Sequence, residues 1–333
     1  MMPPEYKVAL IGAGLIGEKR LKALPVGSVR VVCDLDLARA KLLASLAPGC
    51  RACNDPMQAV TDPDVDVVMI ATVNTSLAPL AMAALEASKH VLLEKPAGVS
   101  VAEIDRLQEL AKQKGRRVRV GYNHRYHPAA LKMMSIWNSG ICGPLMFLRA
   151  RYGHGGRVGY DREWRADPAL SGGGELMDQG VHLIDLAGLL LKDFSSVEGH
   201  CATFFWDMPV DDNAFLNLRD STGATAWLHA SCTEWKNLFS FEVYGKQAKL
   251  HWEGLGGSYG VEKLTHYQML PEMGPPETVI YEFPRADQSW KLEMDDFFED
   301  IQLQREPVPG LVEARGVLEV VEFLYHRFNP KDR

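Results

Sequence analysis

The turn Gly12-Ala13-Gly14-Leu15-Ile16-Gly17 constrains the fold more than any other stretch of the chain. Ahead of it, Tyr6–Ile11 is an apolar, β-branched run that reads as a buried strand, and Glu18–Leu24 after it opens a helix. Strand, glycine-spaced turn and helix in that order are the context that makes G-x-G-x-x-G a dinucleotide fingerprint. Gly12 permits the tight turn, Gly14 lets a pyrophosphate approach the backbone, and Gly17 allows close helix–strand packing. The phosphates are expected at the helix N-terminus, by Gly14, Leu15 and Ile16, where N–H groups and the helix dipole favour anions. Asp34 stands twenty residues after Gly14, where a carboxylate grips the adenosine ribose hydroxyls and repels a 2′-phosphate. NAD is therefore expected over NADP. Arg39 and Lys41 would blunt that preference, but they read as a solvated helix face.

Around this turn, residues 6–121 alternate between strand-like and helix-like runs. Val29–Cys33, Val65–Thr72, Val91–Leu93 and Val118–Gly121 are apolar strands; Asp36–Leu46, Leu77–Ala87 and Val101–Lys114 have helical periodicity. Such alternation predicts a parallel sheet covered on both faces. The texture changes near residue 122. Helical Pro128–Trp137 leads into strand-like Leu145–Tyr152, a loop rich in Gly, Arg and Asp follows, and Ser196–Phe205, Ala214–Leu218, Ala224–Ser231, Ser240–Tyr244 and Ala248–Trp252 read as strands. These predict an antiparallel sheet with helices on one face. Residues 254–288, rich in Gly and Pro, are expected to be mostly loop and edge, and helical patterns over Trp290–Gln304 and Glu313–Phe328 close the chain. At 333 residues the chain exceeds a single core, and the boundary is expected at 1–123 and 124–333, with the last helix able to pack back toward the first domain.

Net charge is −7, and the longest basic cluster is Lys114-Gly115-Arg116-Arg117, which argues against a nucleic-acid partner. The N-terminal residues lack an apolar signal region and no apolar run approaches membrane-spanning length, so no membrane partner and a cytoplasmic location are expected. Six scattered cysteines suit reduced thiols, and Cys50-Arg51-Ala52-Cys53 has no second ligand pair, so no metal is expected.

The segment from Gly172-Gly173-Gly174 through Leu191 is apolar almost all round, which predicts a buried helix. Asp178, His182 and Asp185, at i, i+4 and i+7, would line one face of it. Buried ionisable groups are costly unless paired or used. Core, metal and catalytic readings of the stripe all remain open on spacing alone, with Asp185 in a bracing role. The glycines ahead of it are expected to let backbone approach a cofactor or sugar. Lys95 follows a strand at the carboxyl edge of the parallel sheet, where ligands bind in such folds, and Pro96 stiffens the backbone after it. In the loop before the glycines, Trp164 is placed to stack on a sugar and Arg165 to hold a carboxylate or phosphate, with Tyr152 and Trp235-Lys236-Asn237 as further candidates.

Ala71-Thr72-Val73-Asn74, Lys89–Pro96 with its Glu94-Lys95-Pro96, Gly121–Pro128 and the Asp178-x-x-x-His182 pair occur in that order after the fingerprint. The chain thereby resembles, over essentially its whole length, the Gfo/Idh/MocA oxidoreductases. Leu77 stands where the family often has a histidine. The resemblance implies an α/β protein with an N-terminal Rossmann domain and a C-terminal α/β domain, whose open, mostly antiparallel sheet serves subunit contact in a homodimer or homotetramer. It implies a sugar or polyol substrate and a site between the two domains, with Lys95, Asp178 and His182 catalytic and Thr72, Asn74, Glu94 and Asn123 beside the cofactor. Oxidising a secondary alcohol needs a base for its proton, which suits His182, and a donor to the alkoxide, which suits Lys95; which of the two formally takes the proton stays open on sequence. The arginine-rich loop tilts the substrate toward an anionic or nucleotide sugar. Rival readings are a glycosidase that uses NAD for transient oxidation and elimination, and a non-catalytic dinucleotide-binding regulator.

Overall fold

The computed structural model describes residues 6–327. Residues 1–5 and Phe328, the last residue expected in the closing helix, lie outside the described residues. Two compact units result: one runs through Tyr122 and adds Trp290–Leu318, and the other is Asn123–Ser289 with the chain from Glu319.

In the first unit the strands are β1 (Val8–Ile11), β2 (Val29–Cys33), β3 (Arg51–Cys53), β4 (Val67–Ile70), β5 (His90–Glu94) and β6 (Val118–Gly121). The helices between them are α1 (Leu15–Ala23), α2 (Leu37–Ala44), α3 (Pro56–Val60), α4 (Asn74–Glu86) and α5 (Val101–Lys114). Every residue of β1 and β4 is buried, as covered parallel strands require. The sheet order is β3-β2-β1-β4-β5-β6, with all neighbours parallel. That order reverses direction between β1 and β4, and a ligand crevice lies outside the carboxyl ends of the strands at such a point. Local chemistry sets the helix limits. The Asp36 carboxylate accepts from Ala38 N and Arg39 N to start α2, and Ser100 Oγ accepts from Glu103 N to start α5. Gly115, at φ +62°, ends α5.

The second unit contains α6 (Pro128–Asn138), β7 (Leu145–Gly153), α7 (Pro168–Ser171), a π-helical turn over Leu176–Gly180, α8 (Val181–Gly188) and seven further strands. These are β8 (Ser196–Ala202), β9 (Asn213–Arg219), β10 (Thr225–Ser231), β11 (Leu238–Gly245), β12 (Ala248–Glu253), β13 (Glu262–Gln268) and β14 (Glu277–Phe283). Their order is β14-β13-β12-β11-β7-β10-β9-β8, mixed because β7 and β10 run parallel while the other neighbours run antiparallel. Alternate residues such as Leu148, Ala150, Leu228, Phe241 and Trp252 are buried, and α8 packs on β7 and β10. Phe147, Arg149 and Trp227 on the opposite face are exposed. The stretch 254–288, expected to be mostly loop and edge, supplies two full strands, with β14 at the sheet edge. Leu264 and Thr265 are buried in β13 while β14 is largely exposed at the sheet edge, so the Gly and Pro content marks its turns.

Two helices close the chain, α9 (Ser289–Leu303) and α10 (Leu311–Tyr325). Met294, Phe297, Phe298 and Ile301 of α9 bury themselves with Val8, Leu10, Val29 and Val32 of the parallel sheet. This apolar stripe is why the C-terminal segment belongs to the first unit.

Candidate functional site

The glycine turn of the first unit is built to exclude side chains. A Cβ on Gly12, whose φ is +103°, would lie 2.2 Å from the Ala71 carbonyl oxygen, and one on Gly17 would lie 1.9 Å from that of Gly12. Gly14 is different: nothing lies within 4 Å of where its Cβ would be, and no side chain caps α1 there. Leu15 is 71% exposed and Ile16 half-buried. The Asp34 carboxylate reaches back to this turn, accepting from Ala13 N at 2.8 Å through Oδ2 and from Asp36 N at 2.9 Å through Oδ1. It is half-buried, and Arg39 pairs with Asp36 instead. Gly12, Asp34, Thr72 and Lys95 follow the carboxyl ends of β1, β2, β4 and β5, and Asn74 opens α4, so one sheet edge gathers them. The uncapped, unobstructed helix start beside a carboxylate fits a dinucleotide's pyrophosphate and ribose.

Glu94 has a buried cation as its partner. Fully buried Arg20 of α1 donates from Nε to Glu94 Oε1 at 2.7 Å and from Nη1 to Glu293 Oε2 of α9 at 2.5 Å. Its guanidinium carbon lies 4.6 Å from the centroid of the Trp290 ring. Gly121 is needed above this pair, since a Cβ there would meet Arg20 Nη2 at 2.6 Å. Burial, opposed by Arg20 and reinforced by Glu94, pushes the Glu293 carboxyl up to about 7. Glu94 thus anchors the end of β5, while Lys95 beside it is half-buried and joined to Pro96 by a cis peptide bond. Sequence reasoning missed Arg20 and Glu293, because 273 residues separate them.

In the second unit, the expected α-helix begins instead as the π-turn Leu176–Gly180 before continuing as α8. Asp178 lies in the turn, half-buried, whereas His182 and Asp185 in α8 are buried. The stripe is therefore divided between two helix types. Asp185 accepts a bidentate pair from Arg125, Nε to Oδ2 at 2.8 Å and Nη2 to Oδ1 at 2.6 Å, which accounts for its burial. Asp178 Oδ2 accepts from Arg165 Nε at 2.8 Å. The His182 ring lies 3.9 Å from that of His124 and 6.1 Å from that of Tyr152.

Two of the glycines before the turn, Gly173 and Gly174, are packed against protein. A Cβ on Gly173 would fall 2.3 Å from the Tyr325 hydroxyl, and one on Gly174 would fall 1.9 Å from the Asp211 carbonyl oxygen. Tyr152 also packs on His124 and Tyr259, and burial followed by Tyr259 raises its hydroxyl well above the phenol range. Trp164 has the Arg165 guanidinium 4.6 Å over its ring. Arg165 also lies 4.0 Å from Glu163, which Arg157 pairs at 2.7 Å. Nearby Glu175, 1% exposed, accepts from Tyr160 Oη at 2.9 Å and faces His154 Nε2 at 3.6 Å. Burial lowers the His154 imidazole, but the Glu175 hydrogen bond and charge outweigh it and leave it raised. Asn123 donates to Ser289 Oγ at 2.9 Å. Trp235 is 83% exposed. Among the described residues no group of three or more His, Cys, Asp or Glu side chains is arranged to hold a metal, and no helix is long and apolar enough to cross a membrane.

Comparison with known proteins agrees with both halves of this architecture. Residues 6–122 match the family model described as "Oxidoreductase family, NAD-binding Rossmann fold", and residues 130–251 match the GFO/IDH/MocA C-terminal domain. The chain is 26% identical to scyllo-inositol 2-dehydrogenase (NAD(+)) of Bacillus subtilis over 334 residues, covering 96% of this chain and 93% of that protein. It is 31% identical to inositol 2-dehydrogenase of Salmonella typhimurium over 199 residues, 58% of this chain and just over half, 56%, of that protein. Levoglucosan dehydrogenase in complex with NADH and levoglucosan shares the fold, with a TM-score of 0.87, 23% identity and 96% of each chain covered.

Proposed function

We propose, from the premise that this chain belongs to the Gfo/Idh/MocA oxidoreductase family, that it is an NAD-dependent dehydrogenase of a secondary hydroxyl on a neutral polyol or sugar. The observation that carries the reading is His182, an imidazole buried in an apolar helix one segment after a half-buried carboxylate. Imidazole is the side chain whose charge changes near neutral pH, as an alcohol's base requires. His182 takes the hydroxyl proton, Asp178 binds a neighbouring hydroxyl, and Lys95 donates to the developing alkoxide. When bound, the nicotinamide accepts the hydride. The turn from Gly12 to Gly17 holds the pyrophosphate and Asp34 the adenosine ribose, with Thr72, Asn74 and Asn123 bordering the cofactor.

Charge favours a neutral substrate over the anionic sugar that the loop's arginines suggest. Arg165 is matched by Asp178 and Glu163, and Arg157 by Glu163. An added carboxylate or phosphate beside this loop therefore competes with carboxylates already paired to its arginines. The relatives named for inositol substrates are consistent with this choice. NADH fluorescence with inositols and anhydrosugars on one side, uronates and nucleotide sugars on the other, tests it. The neutral group is expected to turn over and Lys95→Ala to lose at least about a hundredfold in kcat; preference for the anionic group overturns the substrate class. For the cofactor, Asp34→Ala is expected to narrow the NAD over NADP preference, and an unchanged ratio removes Asp34 as the discriminator.

The outward sheet face, with Phe147 and Trp227 exposed, is proposed as the contact between two copies. Light scattering of Trp227→Glu is expected to show monomer where the wild type is dimer or tetramer.

A further inference from the structure

Leu176–Gly180 winds as π rather than α. Turns of this kind are rare and recur at functional sites. One extra residue in a turn rotates everything beyond it by about 100° relative to an unbroken α-helix. The choice between π and α winding therefore decides how Asp178, inside the turn, is placed against His182, beyond it.

The groups ahead of the turn converge on one buried residue. Gly174 N donates to Asp211 Oδ1 at 3.0 Å and Leu176 N to Asp211 Oδ2 at 2.8 Å. Between them, Glu175 N donates to the Asp211 backbone carbonyl at 3.0 Å. Three consecutive backbone amides thus end on Asp211, which has no exposed surface. The Tyr325 hydroxyl completes the clamp, donating to Asp211 Oδ1 at 2.8 Å and accepting from Gly174 N at 3.0 Å. The missing side chains of Gly173 and Gly174 make room for this contact.

We propose that Asp211 and Tyr325 are positioning residues for the dehydrogenation: they fix the three amides that enter the turn, so that it winds as π and sets Asp178 against His182. The proposal rests on the reading of Asp178 and His182 as the substrate-side residues. Asp211 and Tyr325 act through the backbone and do not touch the reacting atoms. Asparagine at 211 keeps one acceptor but sets an N–H against one of the two amides, which breaks half of the clamp. Phenylalanine at 325 leaves the carboxylate and removes only the bridging hydroxyl.

Crystal structures of Asp211→Asn and Tyr325→Phe, with steady-state kinetics on NAD and the polyol that the wild type oxidises fastest, test it. Leu176–Gly180 is expected to rewind with i→i+4 bonds in Asp211→Asn, and kcat to fall by about tenfold to a hundredfold, as misplacement of about 1 Å predicts. NAD affinity is expected to hold within about twofold, because the dinucleotide turn is untouched. Tyr325→Phe should fold in any case and lose a smaller factor, about threefold. An intact π-turn with kcat unchanged in both variants overturns the proposal, as does a loss of NAD affinity that accounts for the loss of rate. Should Asp211→Asn fail to fold, Tyr325→Phe decides. His182→Ala separates the two claims. If it is inactive while both clamp variants are fully active, the clamp alone fails; if it stays active, the functional reading fails and the crystal structures still decide whether Asp211 sets the turn.

Discussion

At Gly12–Gly17 and at Gly172–Gly174 the chain uses the same device, glycines leading into a helix start, and the two starts meet different things. In the first, Gly12 and Gly17 are packed against backbone while Gly14 faces open space and α1 has no side-chain cap. In the second, Gly174 is packed against Asp211, and that carboxylate takes the amides of Gly174 and Leu176. A phosphate and a carboxylate satisfy helix-start amides by the same electrostatics. The first turn has open space at Gly14, whereas the second is filled from within the chain. A glycine-rich helix start therefore marks an anion, and only the rest of the fold says whose.

That contrast can be broken by adding one methyl group at each turn. Gly174→Ala is expected to have the largest effect, because its Cβ would fall 1.9 Å from a backbone oxygen that has no room to move. Chemical denaturation should show a loss of about 3 kcal/mol or more. Gly14→Ala should leave stability within about 0.5 kcal/mol, as at an open surface site. Its cost should appear in NAD affinity, weaker by about tenfold in a titration. Comparable stability losses in the two variants would erase the distinction.

Buried carboxylates behind each helix start sharpen the comparison by pH. Glu293, which holds Arg20 of α1, is pushed up to about 7, and Asp211 up to about 6, burial being the main cause for both. A raised carboxyl binds its proton more tightly in the folded state. Its contribution to stability is full below the ordinary carboxylate range and fades as pH rises from about 4.5 through about 7 for Glu293. Glu293→Gln removes that dependence. Its melting temperature, relative to wild type, is expected to rise modestly from pH 5 to pH 8; a constant difference would contradict the assignment. Arg20 itself is a different matter: removing it strands two buried carboxylates, at a cost of about 3–5 kcal/mol.

Local patterns were legible in the sequence and long-range partners were not. The strands of the parallel sheet and the fingerprint follow from apolar runs and glycine spacing, which are properties of neighbouring residues. Asp34 was legible for the same reason, standing at the end of the second strand. The π-turn was not: Asp178, His182 and Asp185 have faultless α-helical spacing, and the cause of the departure lies at Asp211 and Tyr325, far along the chain. Arg165, expected to hold a carboxylate or phosphate, pairs with Asp178, a partner the sequence did not show. Glu94, expected beside the cofactor, also pairs with buried Arg20, a partner the sequence did not show. The glycines at 172–174 read as room for a ligand, and at Gly173 and Gly174 Tyr325 and Asp211 occupy the space a Cβ would take. In each case the residue type was informative, but the identity of its partner depended on the tertiary fold.

On the proposed reading, His182 takes a proton from a neutral polyol as hydride leaves for NAD. The direct measurement is kcat for NADH formation with the preferred polyol in wild type and His182→Ala, with NAD affinity measured alongside. The account predicts a loss of about a hundredfold to ten-thousandfold in kcat with NAD binding unchanged. A His182→Ala enzyme that keeps wild-type turnover would contradict it.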